Sequence, residues 1–249
     1  MPALGVVLLS QSLGLLLVAA AAVAVGEPIR SAAELGWGMA AGLSGATALV
    51  AFYRGLAAGR MGLVAPVAGV LGAAIPVAFG TLVEGAPAPG QAAGIGLALV
   101  SVLLVSRPDE EGGGRQGLGL ALAAGAGFGG FFVLIDQVGT AGVLWPIAAA
   151  RFASVGLLGG LVLVLRPPWR PTPGTLRPVV LAGVLDAGGN LLFLLAARLG
   201  PLAVAAVLSS LYPVTTVVLA RLVLGERVAR VHAAGIALAV VAIALIAAA

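Results

Sequence analysis

The sequence predicts an all-helical protein that crosses a membrane several times, and three observations carry that prediction. Apolar residues fill 61% of the 249 positions and charged residues only 9%, whereas about 25% of the residues of a soluble domain are charged. The mean hydropathy is +1.18. Long apolar runs alternate with short charged, proline-rich or glycine-rich breaks. A water-soluble globular domain is therefore excluded.

Nine apolar runs have the length of a membrane span, which needs about 20 residues. We place them at residues 5–25, 35–53, 62–83, 90–106, 116–137, 144–165, 178–197, 202–223 and 231–249. Open strands cannot satisfy their backbone groups in lipid, so each run is predicted to be a helix. No basic residue precedes the first run, which is also longer than the apolar part of a signal peptide, so we take it as a mature span.

The charges of the chain are typical of membrane anchoring. The net charge of +4 comes from 13 arginines, which lie mostly at the ends of the apolar runs. Such arginines anchor helices at the interface, and we expect no binding to nucleic acid. The chain has no cysteine and one histidine, and no P-loop or pairing of nucleophile with base is present. We therefore expect no cofactor, no metal site and no enzymatic activity.

A repeated segment indicates that the chain has two homologous halves. Ala92–Val100 reappears as Ala233–Val241, with seven identities in nine at an offset of 141. The breaks between runs also occur in a matching order. We predict a first repeat of four helices over residues 1–106 and a second of five helices over residues 107–249.

Ionisable residues inside spans are the strongest indication of a site, since each costs about 2.5–3.5 kcal/mol at the helix centre. Asp186 lies in the middle of its run, and Asn190 follows one helical turn later on the same face. Arg151 lies about two turns into the preceding run. We predict that all three face the interior of the helix bundle and that Arg151 pairs with Asp186. The pair either only fixes helix packing or forms a site for a substrate amine or a proton.

Two tyrosines and two prolines complete the candidate residues. Tyr53 and Tyr212 are candidates to line a solute path and stack on the substrate, although a tyrosine near an interface is usually an anchor. Pro76 and Pro213 lie deep within their runs. A proline removes a backbone hydrogen bond, which gives either a tolerated kink or a bend used in gating. We favour gating.

Small residues four positions apart predict places where two helices approach closely. A G-x-G-x-x-G pattern at residues 125–130 has the same interpretation, because it lies inside an apolar run with no preceding strand. The spaced pairs are Gly38 with Gly42, Gly125 with Gly129, Gly156 with Gly160, and Gly183 with Ala187.

Several segments together resemble the EamA-type transporters of the drug/metabolite transporter superfamily. The second half carries Leu211-Tyr212-Pro213-Val214, then Leu224-Gly225-Glu226-Arg227 and Ala234-Gly235-Ile236, with Pro146 and Arg151-Phe152 earlier. The first half matches more loosely. The resemblance implies two inverted five-helix repeats with a substrate path between them. By that count one helix before Met1 is missing, the counterpart of Leu118–Ile135. Either the protein is a shortened member or a helix precedes Met1, and we expect the second.

These features together predict a secondary transporter in the inner (plasma) membrane. It would export a small metabolite or drug-like solute by alternating access between its repeats. The alternative is a non-transporting membrane scaffold or assembly subunit. The expected partners are a small-molecule solute and membrane lipid, and a homodimer is left open. Substrate, coupling ion and membrane orientation are left open as well.

Overall fold

The computed structural model describes residues 3–57, 61–105, 117–139, 142–166, 174, 176–211, 214, 218, 222 and 230–248. Nine helices lie within these ranges, and the same ranges contain no strand. They are α1 (Ala3–Val25), α2 (Ala32–Ala57), α3 (Met61–Val83), α4 (Pro89–Val105), α5 (Leu118–Asp136), α6 (Leu144–Leu165), α7 (Leu176–Leu199), α8 (Leu202–Ser210) and α9 (Arg230–Ala248).

Five of the helices are long and apolar enough to cross a membrane, namely α1, α2, α5, α6 and α7. Shorter apolar helical stretches lie in α3, α4 and α9. A helix satisfies its own backbone groups, which is the condition for a segment that lies in lipid. The predicted all-α polytopic membrane fold is thus confirmed.

Local sequence signals explain several of the helix ends. Ser31 precedes α2, and its Oγ accepts a hydrogen bond from the Glu34 N–H at 3.2 Å, as expected for a Ser-x-x-Glu start. Pro146 lies in the first turn of α6, where its missing N–H does no harm. α6 ends at Arg166, which adopts φ 47° and donates its N–H to the Val162 carbonyl at 2.9 Å.

Packing divides the chain into two compact units. Unit 1 comprises Met1–Val50 and Gly130–Leu199, and unit 2 comprises Ala51–Gly129 and Gly200–Ala249. Each unit therefore takes helices from both predicted sequence repeats. Contacts do not measure sequence similarity, so the repeat boundaries 1–106 and 107–249 stay a prediction.

Small residues bring α2 close to α6 in unit 1. A Cβ built on Gly38 or Gly42 would overlap the backbone of Pro146 or Ala150, so neither position has room for a side chain. The Ser154 hydroxyl of α6 also donates to the Gly42 carbonyl at 2.9 Å. The prediction of close packing is confirmed at this pair of glycines.

The packing of α1 against α7 has the same character. A Cβ on Gly183 would lie 2.8 Å from the Ser10 carbonyl oxygen, and a Cβ on Gly14 would lie 3.5 Å from the Ala187 Cβ. α1 also packs along α6. α1 therefore lies against both helices that carry the predicted charged pair.

The other two glycine pairs differ in their outcome. In unit 2, a Cβ on Gly125 or Gly129 would lie 2.6 Å from the Leu71 Cβ or 2.7 Å from the Ile75 Cβ, so both glycines contact side chains of α3. The prediction for Gly156 and Gly160 is wrong within the described part of the chain, where a Cβ at either position meets nothing within 4 Å. Spacing alone does not say which helix face has a neighbour.

In unit 2, α4 packs along α9 and α3 packs along α8. The Ser101 hydroxyl of α4 donates to the Gly235 carbonyl of α9 at 2.7 Å. A Cβ on Gly94 would lie 3.0 Å from the Ala242 carbonyl oxygen. Buried apolar side chains surround these contacts, including Ile95, Val102 and Ile246.

Candidate functional site

Arg151 is the most deeply buried charged group of the predicted site. It lies on α6 and is 3% exposed, although it carries a full positive charge. A buried guanidinium is stable only where nearby groups accept its hydrogen bonds and balance its charge. Unit 1 supplies such groups from α1 and from α7.

A closed network of three side chains surrounds this charge. Arg151 Nη1 donates to Asp186 Oδ2 on α7, which forms the ion pair that the sequence predicted. The same nitrogen donates to Gln11 Oε1 on α1 at 2.5 Å. Gln11 Nε2 in turn donates to Asp186 Oδ2 at 2.9 Å. Three helices of unit 1 are thereby joined through one buried charge.

The carboxylate of this network is less enclosed than the guanidinium. The side chain of Asp186 is 46% exposed, against 4% for that of Arg151. The reason is the position of α7, whose buried residues form one stripe, Val179, Gly183, Ala187, Phe193 and Leu194. Asp186 lies at the edge of that stripe. Exposure does not distinguish lipid from an open space inside the bundle, so the prediction that Asp186 faces the interior stays a prediction.

Two polar atoms of the network lack a hydrogen-bond partner among the described residues. Among the described residues, Arg151 Nη2 is buried without a hydrogen-bond partner. Both protein donors to the Asp186 carboxylate reach Oδ2, so Oδ1 has no donor from the described residues. The half-exposed carboxylate can therefore accept a hydrogen bond from an amine, whereas Arg151 Nη2 is enclosed by the protein.

Of the remaining predicted residues, those that the structure describes do not join this network. Asn190 lies one turn after Asp186 and is partly buried. Tyr53 belongs to unit 2, is 37% exposed, and stacks edge-on with Phe52 at a ring distance of 5.9 Å. Pro76 is fully buried within α3, which continues through it. Tyr212 and Pro213 lie outside the described residues.

Gln11 is the member of the network that sequence reasoning did not select. An amide inside an apolar span is a visible signal, but it is expected to bond a neighbouring helix rather than take part in a site. Here it does bond to neighbouring helices, and its partners are the two charged side chains. Spacing along the chain could not have shown this, because 140 and 175 positions separate Gln11 from its partners.

Arg198 was expected to extend towards the membrane interface and instead bonds within the protein. Its Nη2 donates to the Gly142 carbonyl, and its Nε is buried without a partner in the described part of the chain. Two glutamates, Glu27 and Glu34, lie close enough to act on its charge. Neither glutamate was a candidate, because both come at the ends of apolar runs.

Comparisons with known proteins agree with this architecture. One solved crystal structure superposes with a TM-score of 0.81 over 99% of this chain and 89% of its own chain, at 19% sequence identity. At that identity the likeness shows the fold alone. A comparison with curated proteins finds no match.

The model of the EamA-like transporter family matches residues 115–248, which include α5 to α9 and therefore both charged members of the network. The apolar helices and this match identify an integral membrane protein of a transporter family. The chain belongs to the EamA-like transporter family.

Proposed function

We propose that this protein is a secondary transporter that exports a small metabolite or drug-like solute by alternating access. Asp186 would bind the amine of the solute or a proton that is coupled to its movement. The membrane would be the inner (plasma) membrane. The observation that carries the proposal is a half-exposed carboxylate held beside a buried guanidinium on apolar helices.

The geometry favours a site over a pair that only fixes helix packing. A packing pair is stable when both partners are enclosed and fully bonded, since unpaired buried groups cost about 1–3 kcal/mol each. Here one partner is 46% exposed, and Arg151 Nη2 is buried without a bond within the described residues. An ionised group at membrane depth with bonding capacity left over is typical of a substrate or ion pathway.

Arg151 and Gln11 have a positioning role in this proposal. Both donate to Oδ2, which fixes the rotamer of Asp186 and leaves Oδ1 for a ligand. A carboxylate oxygen without a protein donor can accept a charge-assisted hydrogen bond from a cationic amine. Solute or proton binding would weaken the ion pair and so change how α6 and α7 are held together.

Flux into proteoliposomes tests the proposal. We expect wild-type protein to transport ethidium or putrescine saturably, with a rate that changes with pH. Asp186→Asn should reduce the rate by at least about tenfold and remove the pH dependence, because a charge-assisted contact is lost. The matched control is Asp136→Asn, which removes a carboxylate at the end of α5.

Three outcomes separate the interpretations. Normal yield of Asp186→Asn with lost or pH-insensitive flux supports the site. Unchanged flux in that variant removes Asp186 from the mechanism. Absence of saturable flux in wild-type protein for every amine in a wider panel favours the non-transporting scaffold.

A further inference from the structure

A second charged cluster ties four helix ends together at one end of unit 1. Glu27, which follows α1, reaches the first turn of α6 although 116 residues separate it from Val143. Its Oε1 accepts the backbone N–H groups of Val143, Leu144 and Trp145 at 3.1, 2.9 and 3.0 Å. A carboxylate at a helix N-terminus is stabilised by the helix dipole and by charge-assisted hydrogen bonds. The end of α1 is thus fastened to the start of α6.

Glu34 and Arg198 complete this end cluster, which we define as Glu27, Glu34, Gly142 and Arg198. Arg198, at the end of α7, donates to the Gly142 carbonyl just before α6. Glu34, in the first turn of α2, is 2% exposed. A Cβ built on Gly142 would overlap Glu34 Oε1, so that oxygen lies against the same glycine.

Two buried atoms of the end cluster lack partners. Within the described residues, Glu34 Oε1 has no donor and Arg198 Nε has no acceptor. One is an acceptor and the other a donor, and both side chains contact Gly142. In a permanent contact both atoms are expected to have hydrogen-bond partners, since most buried polar groups in proteins are hydrogen-bonded. The unpaired acceptor and the unpaired donor therefore indicate a second arrangement, in which Arg198 donates a hydrogen bond to Glu34.

We propose that the end cluster is a releasable latch of the transport cycle, an inference that rests on the proposed function. In the closed arrangement Glu27 caps α6 and Arg198 holds Gly142. In the released arrangement Arg198 moves to the Glu34 carboxylate, which frees the start of α6 from the end of α7. The charged groups that act on Arg198 are Glu27, Glu34 and Arg30, so the move occurs among groups of balanced charge.

Release of the latch should expose the first turns of α6 for short periods. Ile147 is 1% exposed and lies just after the residues capped by Glu27. The chain contains no cysteine, so Ile147→Cys provides a single thiol at this place. Its rate of reaction with a methanethiosulfonate ammonium reagent in lipid nanodiscs measures how often the latch is open.

Two substitutions that each remove one negative charge should have opposite effects. Glu27→Gln weakens the closed arrangement, so the thiol should react at least about threefold faster. Glu34→Gln weakens the released arrangement, so the thiol should react at least about threefold more slowly. Glu34→Asp keeps the negative charge but places it farther from Arg198, so it should also slow the reaction. This variant replaces Glu34→Gln if the latter folds poorly.

A purely structural cluster would behave differently, because both losses of charge would then loosen this end and speed the reaction. Opposite effects support the latch, and any other pair of results overturns it. Gly189→Cys is the control reporter, since it is exposed and a Cβ there meets nothing within 4 Å. The rate at which the Gly189→Cys thiol reacts should be the same with Glu27→Gln, with Glu34→Gln and without either substitution. The labelling measurement needs no solute, so it is independent of the flux assay. If flux is absent but the two glutamate variants still have opposite effects on labelling, the proposed transport is rejected and the mobile cluster is not.

Discussion

At the scale of single residues, the orientation of the Gln11 amide matters most. Its carbonyl accepts from Arg151 and its nitrogen donates to Asp186, so a reversed amide would place like groups against each other. Leucine has a similar size and no polar atoms. In Gln11→Leu, Arg151 Nη1 keeps one acceptor and Asp186 Oδ2 keeps one donor.

We therefore expect Gln11→Leu to lower the free energy of unfolding by about 1–3 kcal/mol, because two hydrogen bonds to charged groups are lost. Denaturation in mixed micelles measures this value. Ser12→Ala is the control, because within the described residues the Ser12 hydroxyl bonds the Leu8 carbonyl of its own helix at 2.8 Å and no other group. Its effect should stay below about 0.5 kcal/mol. Equal effects of the two variants would contradict the bridging role of Gln11.

The charged pair shows what sequence can predict at this scale. The cost of a charge in lipid is a property of one residue, so Asp186 and Arg151 stand out within apolar runs. The burial of Glu34 and the capping by Glu27 depend on which helix ends meet, and no local pattern encodes that. At a run end, a charge in water costs little, so sequence alone assigns such residues to the interface.

At the scale of helices, the bounds were predictable because membrane thickness fixes the length of a span. The run at 144–165 coincides with α6, and that at 178–197 falls within α7. Apart from the run at 202–223, of which the structure describes only part, the largest difference is α2, which extends to Ala57 where the run ends at 53. Arg54 ends the apolar run but not the helix, since a helix can continue beyond the apolar layer. For the run at 202–223, α8 covers Leu202–Ser210.

The crossing of α2 with α6 leads to a prediction about stability. Gly42→Ala would force its Cβ into the backbone of Ala150, which cannot turn away as a side chain can. We expect a loss of at least about 2 kcal/mol in the free energy of unfolding, with lower yield from membranes.

Gly36→Ala is the control on the same helix, because a Cβ there meets nothing within 4 Å. Alanine is the better helix former, so this variant should be neutral or more stable by up to about 1 kcal/mol. Both variants can be compared by thermal unfolding in detergent. Similar behaviour of the two would show that the two helices cross less closely than this structure has them.

At the scale of the whole molecule, each packing unit takes segments from both predicted repeats. In unit 1, α1 packs against α6 and α7, and in unit 2, α4 packs against α9. A fragment of residues 1–106 therefore lacks the partners of its own helices, as does a fragment of residues 107–249. Burial of apolar helix faces requires both fragments together.

We expect neither fragment alone to accumulate in membranes, whereas the two expressed together should copurify. Pull-down of one tagged fragment after detergent extraction measures this association. A chain divided inside α6, between residues 154 and 155, is the control and should not be rescued, because the cut breaks a helix of unit 1. Stable accumulation of residues 1–106 alone would contradict the expectation.

The contact between α4 and α9 has a consequence for the origin of the chain. The offset of 141 that relates the repeated segments carries Gly94 to Gly235 and Ser101 to Ala242. Gly94 lies against Ala242, which is the counterpart of Ser101. Gly235 accepts a hydrogen bond from Ser101, which is the counterpart of Ala242. The two contacts are therefore equivalent when the repeats are exchanged. Reciprocal contacts of this kind are the mark of a two-fold axis between identical copies. Given the predicted repeats, we infer a shorter ancestral chain that paired with itself through this helix before gene duplication joined two copies into one.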